Sequence, residues 1–517
     1  MAPLHALLCH GCAYMMEQQP YYLRLFLALL VPFLLLKLFR KIGGRGDGQR
    51  LPPGPWRLPV IGSLHHLAGS PLVHRVLAGL TDRLDAPLLY LKLGQVPLVV
   101  AMSPEAAREI TRSQNSLFAT WPWSPAIRII DVDGRELTFE PSHALWQRLH
   151  KMFILDLLSR SPYRVKSFYH VREDEVWRFI NALAAAPPGQ PVNVSERIAA
   201  LITVSALRVM IGGKFKRSEE FLHVLEEGPK IVAGFSLGDL LPSSSWLRAT
   251  TRLAERNHRK SFELMQYVID QLEERRDAAM TGNYDMEERE DLVDVLLRIR
   301  EEGGTDDVHL TMGMIKAVIL DLYGTGRETS ATTLQWAMSE LMRHPKVMQK
   351  AQAEVRNALQ GKPNVTLDDV AGLKYIRLVI KETMRLHPPT PLLIPRKAMK
   401  PCKILGYDIP KGTTVLVNAW AVGRDPRHWE DPDEFKPERL EPCIIDFNDE
   451  AVFEHMPSTS LLTFAHDNME IVLATLLYHF DWELPGGVEV DMTEEMGLTL
   501  RQKKDLYLHA VVRVHQI

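Results

Sequence analysis

The stretch Met312–Arg343, MGMIKAVILDLYGTGRETSATTLQWAMSELMR, carries the strongest structural signal in the chain, because its apolar residues recur at helical spacing. A helix over these 32 residues would be about 48 Å long, enough to cross a large domain. Its first part, IKAVILDLY, is apolar nearly all round and is predicted to be buried. The segment therefore predicts a long central helix.

The middle of this helix, Gly324–Thr333 (GTGRETSATT), breaks the apolar pattern. Glycines weaken a helix, and hydroxyl side chains can capture backbone carbonyls and bend it. A carboxylate at Glu328 is costly in a buried helix unless it is used. Two interpretations remain open: a local groove with a proton relay, or a tolerated kink with solvated polar side chains.

A second polar feature lies on the predicted helix Tyr375–Leu386 (YIRLVIKETMRL), which stops at HPP. Glu382 and Arg385 are three positions apart and so share one face. An exposed pair of this kind contributes only a few tenths of a kcal/mol. A buried, bidentate pair would need further partners to offset its desolvation, and Arg439 in the segment FKPERL is a candidate.

The rest of the body is also mostly helical. Helical spacing recurs in Val165–Leu183, Arg252–Ala278 and Leu292–Arg300, and short strand signals occur in Pro87–Met102 and Gly406–Val417. At 517 residues the chain has the length of about three average domains, yet it shows no repeat and no internal linker. We therefore predict one globular unit, mainly α with a minor β part.

Composition excludes several classes of protein. With 46% hydrophobic and 24% charged residues, the chain is not disordered, collagenous or multi-spanning. Lys+Arg number 61 and Asp+Glu 64, so the net charge of −3 argues against a nucleic-acid partner. The chain has 4 cysteines, too few for a disulfide scaffold, which fits a reducing, cytosol-facing location.

The N-terminal part is predicted to hold a membrane anchor. Tyr21–Phe39 is long enough to span a bilayer when its end charges reach the surfaces, and the alternative is a secretory signal peptide. Basic residues and no cleavage site follow, so we favour an uncleaved anchor with the body in the cytosol. Met1 and Met16 are both candidate starts. Residues 1–50 are thus a leader, transmembrane anchor and basic hinge, and residues 51–517 a cytosolic domain.

The proline-rich stretch at 51–59, LPPGPWRLP, joins these two parts. Proline fixes φ and stops helix continuation, so the stretch is predicted to be a stiff elbow. The alternative is a ligand for a proline-binding domain. Its place between anchor and body favours the elbow.

In chain order, the anchor, the elbow, GTGRETS, KETMRLHPP and FKPERL resemble the cytochrome P-450 superfamily of haem-thiolate monooxygenases, most closely its plant microsomal members. The likeness covers nearly the whole chain. It implies the cytochrome P-450 fold, a helical haem domain with small β-sheets, and haem b as cofactor. It also implies hydroxylation of a small lipophilic metabolite with O2 and electrons from an NADPH-dependent flavoprotein reductase, at the endoplasmic reticulum membrane.

The resemblance also implies roles for individual residues. Glu328 and Thr329 fall on the acid and the alcohol that deliver protons for oxygen activation, a task that needs positioned groups where water is mostly excluded. The walls of the substrate pocket correspond to Ala119–Ile130, Phe235–Leu241 and Pro388–Ile394.

Further residues correspond to the surroundings of the haem. Glu382, Arg385 and Arg439 match the family's structural triad, and Trp146 matches a tryptophan that approaches a haem propionate. Three positions depart from the family's pattern: Thr325 for a smaller residue, His150 for the usual basic residue, and Gln147 for a common arginine.

The largest departure lies between Phe453 and Asn468, where the family has a glycine-rich loop that presents a cysteine thiolate to iron. Counting back from NMEIVLATLLYHFDW places the ligand position near Thr459, and the loop is several residues short and holds no glycine, arginine or cysteine. A neutral hydroxyl does not give iron the electron density that a thiolate gives. His455 or His466 could ligate iron as an imidazole, but surface histidines in a rearranged loop are the favoured interpretation.

Three functional hypotheses follow. The chain is a membrane-bound monooxygenase like its family, or it is a catalytically inactive variant produced by splicing, misprediction or decay. The third hypothesis is a non-catalytic membrane partner of related enzymes or of the reductase. A changed loop flanked by matching sequence on both sides is what shifted splicing would produce.

Overall fold

This computed structural model describes residues 30, 49–120, 122, 166–232, 252–280, 291–302, 310–444 and 459–514, apart from positions 188, 214, 363 and 498. Contacts divide the chain into Met1–Leu51 and Pro52–Ile517, and all the elements given below belong to the second unit. Over the described ranges, no helix combines the length and the hydropathy that crossing a bilayer requires. The predicted anchor Tyr21–Phe39 lies outside the described residues except for Leu30.

Helices form most of the described body. They are α1 Leu64–Leu67, α2 Val73–Leu84, α3 Pro104–Arg108, α4 Lys166–Ala184, α5 Val194–Ile211, α6 Ser218–Val232, α7 Arg252–Met280, α8 Leu292–Glu301, α9 Met312–Arg343, α10 Pro345–Ala358, α11 Leu367–Val370, α12 Lys374–Leu386, α13 Ala419–Val422 and α14 Thr459–His479. Short 3-10 or π turns occupy Glu109–Ser113, Asn115–Phe118, Pro437–Ile444 and Pro485–Gly487.

The strands are short and form small sheets. They are β1 Leu88–Leu93, β2 Val96–Ala101, β3 Val192–Asn193, β4 Arg396–Lys397, β5 Cys402–Ile404, β6 Tyr407–Ile409, β7 Thr414–Val417, β8 Phe480–Glu483, β9 Glu494–Met496, β10 Leu500–Gln502 and β11 Tyr507–Val512. The largest described sheet has the order β1-β2-β7-β4, with β2 and β7 parallel and the other neighbours antiparallel. The other sheets have the orders β3-β11-β8, β9-β10 and β5-β6.

The predicted elements are present close to their predicted bounds. The apolar periods in Arg252–Ala278 and Leu292–Arg300 correspond to α7 and α8, and the period in Met312–Arg343 corresponds to α9. One element departs from the prediction. The stretch between Phe453 and Asn468 was predicted as a loop, but α14 begins at Thr459, so its second half is helical.

The long helix α9 passes through two hydrophobic cores. Ile315, Ile319 and Leu322 lie in a core that α5, α7 and α8 share, whereas Leu334 and Leu341 lie in a core that α12 and α14 share. The polar middle of α9 lies between these two apolar halves. Packing on both sides therefore fixes where the polar residues are presented.

The middle of α9 continues as a helix without interruption from Met312 to Arg343. Its hydroxyl groups bond back to the preceding turn, as the sequence indicated. Ser330 Oγ donates to the Gly326 carbonyl at 2.9 Å and Thr333 Oγ1 to the Thr329 carbonyl at 2.9 Å. These bonds satisfy buried hydroxyls without breaking the helical ladder.

Candidate functional site

Glu328 on α9 meets a residue that sequence reasoning did not single out. Thr499, just before β10, donates a hydrogen bond from Oγ1 to Glu328 Oε1 at 3.0 Å. The same hydroxyl lies 3.1 Å from Thr332 Oγ1, one turn further along α9. The contact joins residues 171 positions apart, and no local pattern predicts such a pairing.

Thr329 follows Glu328 on the same turn and is half-buried. Successive helical residues point about 100° apart, so the two side chains leave α9 in different directions. Glu328 is directed at Thr499. The acid and the alcohol named from the resemblance are thus neighbours in α9, but their side chains point in different directions. The side chain of Thr325 lies outside the described part of the structure.

A small cavity of about 50 Å³ borders another side of this helix segment. Gly326 and Ser330 of α9 face it, together with Ser205 of α5, Asn468 of α14 and Arg172 of α4. Burial lowers the pKa of Arg172 to about 10, while the charge of Asp467 acts in the opposite direction. Most of the cavity lining is apolar, and its volume gives room for on the order of one or two waters.

The triad consists of Glu382 and Arg385 on α12 and Arg439 in the turn Pro437–Ile444. Its pair on α12 has the buried, bidentate geometry. Arg385 Nε and Nη2 each donate to a carboxylate oxygen of Glu382 at 2.8 Å, and both side chains have no exposed surface. Arg439 Nε donates to Glu382 Oε1 at 3.0 Å. One carboxylate thus serves two guanidinium groups.

The remaining donors of the triad are directed at main-chain carbonyls. Arg385 donates to the carbonyls of Gly423, Pro432 and Glu434, and Arg439 donates to those of Glu430, Asp431 and Glu434. The segment after α13 also has main-chain bonds of its own, such as those from His428 and Trp429 to the Asp425 carbonyl. The two guanidinium groups add a second set of bonds that holds its shape. The geometry of the triad is therefore that of a group that stabilises the fold.

A second buried cluster joins the ends of α9 and α12. Glu340 Oε1 lies 2.7 Å from His387 Nε2, and the His387 ring stacks on Trp336 with centroids 4.0 Å apart. Burial would raise the pKa of Glu340, but hydrogen bonds from His344 and His387 outweigh it and lower that pKa to about 2. Glu340 is therefore an ionised acceptor that holds the two helix ends together.

Of the predicted pocket walls, Pro388–Ile394 is described, and the Pro389 carbonyl accepts the Leu500 N–H at 2.8 Å. Of the predicted wall Ala119–Ile130, Ala119, Thr120 and Pro122 are described. Several further predicted positions lie outside the described residues. They are Trp146, Gln147, His150, the rest of Ala119–Ile130, Phe235–Leu241 and His455.

His466 is not a surface histidine in a loop, which corrects the favoured interpretation of that residue. It lies in α14, where burial lowers its pKa to about 4, with the charges of Lys381 and Arg377 on α12 acting in the same direction. Ala465 lines the cavity beside α9, and His466 is rotated about 100° from it around α14. The imidazole is therefore neutral at pH 7 and lies near α12.

No described side chain supplies a thiolate next to α14. Thr459 is the first residue of that helix, and its side chain lies outside the described part. Among the described cysteines, Cys402 is on β5, where burial and the nearby charge of Glu109 raise the pKa of its thiol. The Cys402 thiol is therefore protonated at neutral pH, and it lies in the β5-β6 sheet and not on α14.

The described part of the chain thus combines a long helix that carries an acid and an alcohol at its centre with a buried triad of Glu382, Arg385 and Arg439. A family model described as cytochrome P450 matches residues 52–457. The chain belongs to the cytochrome P450 family. Its monooxygenase members make it an oxidoreductase by family, and haem b is the family's cofactor.

Individual relatives agree with this assignment. Dolabradiene monooxygenase of Zea mays is 42% identical over 475 residues, covering 90% of this chain and 92% of the relative. Premnaspirodiene oxygenase of Hyoscyamus muticus is 40% identical over 501 residues, covering 94% and 98%. A solved zebrafish cytochrome P450 with abiraterone has a TM-score of 0.68 at 22% identity, covering 86% of this chain and 99% of that chain, which shows the shared fold.

The described residues do not fit a thiolate-bound haem. The family match ends at residue 457, directly before α14 begins at Thr459. From residue 444 to the end the sequence has no cysteine, and the described Cys402 is a neutral thiol on β5. The body belongs to the family, but its described residues lack the family's iron ligand.

Proposed function

We propose that the chain is a membrane-bound cytochrome P450-type oxygenase that acts on a small lipophilic metabolite. The observation that carries this proposal is the identity of 40–42% with a monooxygenase and an oxygenase over at least 90% of the chain. A match of this extent spans the whole body, including α9 and α12. The proposed reaction is the family's O2-dependent oxidation. The experiment has to decide whether iron is ligated in a chain that has threonine near the position of the family's cysteine.

We propose a diene-like or related isoprenoid hydrocarbon as the substrate class. Relatives are named for dolabradiene, premnaspirodiene and ent-cassadiene. Such compounds offer almost no hydrogen-bonding groups, so recognition would rest on apolar shape. Binding by apolar shape discriminates weakly, at about 1–3 kcal/mol per methylene, and a group of related substrates is therefore expected.

In this proposal Glu328 and Thr329 are the proton-handling groups. Glu328 holds or releases a proton at its carboxylate, and Thr329 offers a hydroxyl on the next position of the helix. The apolar halves of α9 pack in cores on both sides of these groups, and Glu328 and Thr329 themselves are half-buried. Partial shielding from water strengthens the electrostatic effect of a positioned carboxylate.

Membrane attachment and the redox partner are part of the same proposal. Tyr21–Phe39 would anchor the chain in the endoplasmic reticulum membrane, with the body in the cytosol. An NADPH-dependent flavoprotein reductase would supply electrons there. Resistance of the full chain to extraction from microsomes by alkaline carbonate, and release of a chain starting at Leu51, would support the anchor.

The deciding experiment is a carbon-monoxide difference spectrum of the full chain, reduced and supplied with haem. A strongly red-shifted Soret band would show that a thiolate reaches iron. An imidazole-type band would point to a histidine ligand. Either band should be accompanied by NADPH- and O2-dependent conversion of a diene in microsomes that contain a plant reductase, with the Zea mays relative as positive control.

The competing function is a chain without oxygenase activity, and the absence of a cysteine around Thr459 is the observation in its favour. No haem-dependent band, together with no product, would overturn the proposal. In that case the chain is an inactive variant or a membrane partner of related enzymes or of the reductase.

A further inference from the structure

One face of α9 is hydrogen-bonded to strand β10 over more than three helical turns. Trp336 Nε1 donates to the Leu500 carbonyl at 2.9 Å, and Gln502 Nε2 donates to Ser339 Oγ at 2.8 Å. With the contacts of Thr499 to Glu328 and Thr332, these bonds form what we call the α9–β10 ladder. Its members on α9 are Glu328, Thr332, Trp336 and Ser339.

The spacing of these residues explains why one strand can reach all of them. Positions four, four and three apart stay on one side of an α-helix. Most of the ladder is dry: Thr499, Trp336 and Ser339 have no exposed surface, and Thr332 is 4% exposed, whereas Glu328 at its end is half-buried. Buried polar groups that lose a partner are costly, so each bond of the ladder restricts its neighbours.

The direction of the hydrogen bonds follows from the single proton of each hydroxyl. As a carboxylate, Glu328 only accepts, so Thr499 uses its proton on Glu328. Thr332 must then donate to Thr499. Among the described residues the series ends at Thr332, a buried hydroxyl, and reaches no titratable group other than Glu328. It therefore fixes the position of the carboxylate and does not conduct protons to it.

The other strand of the hairpin is fixed from the opposite side. Glu494 on β9 accepts from Arg75 Nε of α2 at 2.7 Å and lies 3.4 Å from His74 Nε2. Burial would raise the pKa of Glu494, but His74 and Arg75 outweigh it and lower that pKa to about 2. Since β9 and β10 are paired, the hydroxyl of Thr499 is held in place from both strands.

From this geometry we propose that Thr499 is a positioning residue for Glu328, one that holds the carboxylate in a single orientation through the α9–β10 ladder. Its importance for catalysis rests on the proposed function, whereas the contact itself does not depend on a cofactor. The test is accordingly made on the full chain without added haem, so that it gives a result even if no oxygenase activity exists.

The experiment is a double-mutant cycle of Thr499→Val and Glu328→Ala, read by hydrogen exchange of the hairpin amides. Each single variant should increase opening of the hairpin, and the double variant should open less than the two effects combined. We expect a coupling of about tenfold in the opening equilibrium. The matched control is Thr333→Val, because Thr333 bonds only its own helix turn, and its cycle with Thr499→Val should show no coupling.

A second readout follows the ladder itself. The indole N–H resonance of Trp336, assigned with Trp336→Phe, should shift in Thr499→Val and return to its original position in Thr499→Ser, which keeps the hydroxyl. Additive effects of Thr499→Val and Glu328→Ala, or a failure of Thr499→Ser to restore the resonance, would overturn the proposal. Loss of the oxygenase activity alone would contradict only the proposed function.

Discussion

Glu382 illustrates how one side chain can commit a whole region of a protein. Its carboxylate has no exposed surface and is bonded to both Arg385 and Arg439. Burying a carboxylate is costly, and only a complete set of charge-assisted partners offsets that cost. The sequence indicated the pair through its spacing, but it left burial open, because the same spacing occurs on solvent-facing helices.

Replacing Arg385 by lysine should strongly destabilise the fold. Arg385→Lys keeps the charge but loses the fork that bonds Glu382 and three carbonyls, and breaking a buried pair costs about 3–5 kcal/mol. The measurement is the urea midpoint, or the soluble yield where the variant does not fold. The matched control is Arg217→Lys in the exposed i,i+3 pair with Glu220, which should leave the midpoint unchanged. Equal behaviour of both variants would contradict the structural role of the triad.

His466 should make stability depend on mildly acidic pH. Its pKa is lowered from 6.5 to about 4, first by burial and then by Lys381 and Arg377. The unfolded chain therefore binds the proton more readily, and the stabilising contribution, complete above pH 6.5, is lost as the pH falls towards 4. Allowing for the partial exposure of the ring, the free energy of unfolding falls by about 2 kcal/mol over this pH range.

The variant His466→Leu should therefore flatten the stability curve between pH 6.5 and 4.5, measured by urea unfolding. Glu340 and Glu494 stay ionised in this range, since their pKa values are both about 2. His223→Leu on the exposed side of α6 is the control and should leave the slope unchanged. An unchanged slope in His466→Leu would show that the imidazole is not desolvated.

At the level of elements, α9 combines good packing with a weak helical middle. Its ends are fixed by two separate cores, so the glycines at its centre are tolerated without a break in the helix. Neither Gly324 nor Gly326 is needed for space, because a Cβ built there meets no heavy atom within 4 Å. Glycine at these positions costs helix stability without a steric reason among the described residues.

The variant Gly324→Ala should raise stability by about 0.5–1 kcal/mol, because alanine loses less backbone entropy in a helix. The same substitution at Gly423 should do the opposite. A Cβ there would lie 2.6 Å from the Arg385 carbonyl oxygen and 3.3 Å from Arg385 Cγ, at the triad. Thermal unfolding of the two variants measures this contrast, and a stabilised Gly423→Ala would contradict the described approach.

How far the sequence could predict these elements depends on how far apart along the chain the contacting residues lie. The periodicities of α7, α8 and α9 were readable because each repeats within one segment. The parallel pairing of β2 with β7 and the contact of Thr499 with Glu328 were not, because they join residues hundreds or well over a hundred positions apart. The helical start of α14 at Thr459 was missed because the family's pattern, a loop, was expected there.

On the scale of the whole molecule, α9 connects the described contacts. It lies in both cores, takes part in the α9–β10 ladder and carries Glu340, which contacts His387 at the end of α12. The resemblance predicted the mainly helical fold with small sheets correctly. The sequence itself shows that the stretch around Thr459 holds no cysteine.

Restoring the cysteine alone should not restore the family's spectrum. The stretch from Phe453 to Asn468 contains no glycine, and the described backbone is already helical from Thr459 onwards, where the family has a glycine-rich ligand loop. We expect Thr459→Cys to show no red-shifted carbon-monoxide band, like its neighbour control Ser460→Cys. A thiolate band and hydroxylated product from Thr459→Cys would contradict this expectation.

The triad has a consequence for how such a chain behaves inside a cell. Arg385 and Arg439 close the segment after α13 by donating to main-chain carbonyls from Gly423 to Glu434. Chaperones and proteases respond to exposed apolar surface and loose backbone, and this arrangement presents neither there. A steady level of the protein in a tissue would thus report that its body has folded, and would carry no information about whether it oxidises anything.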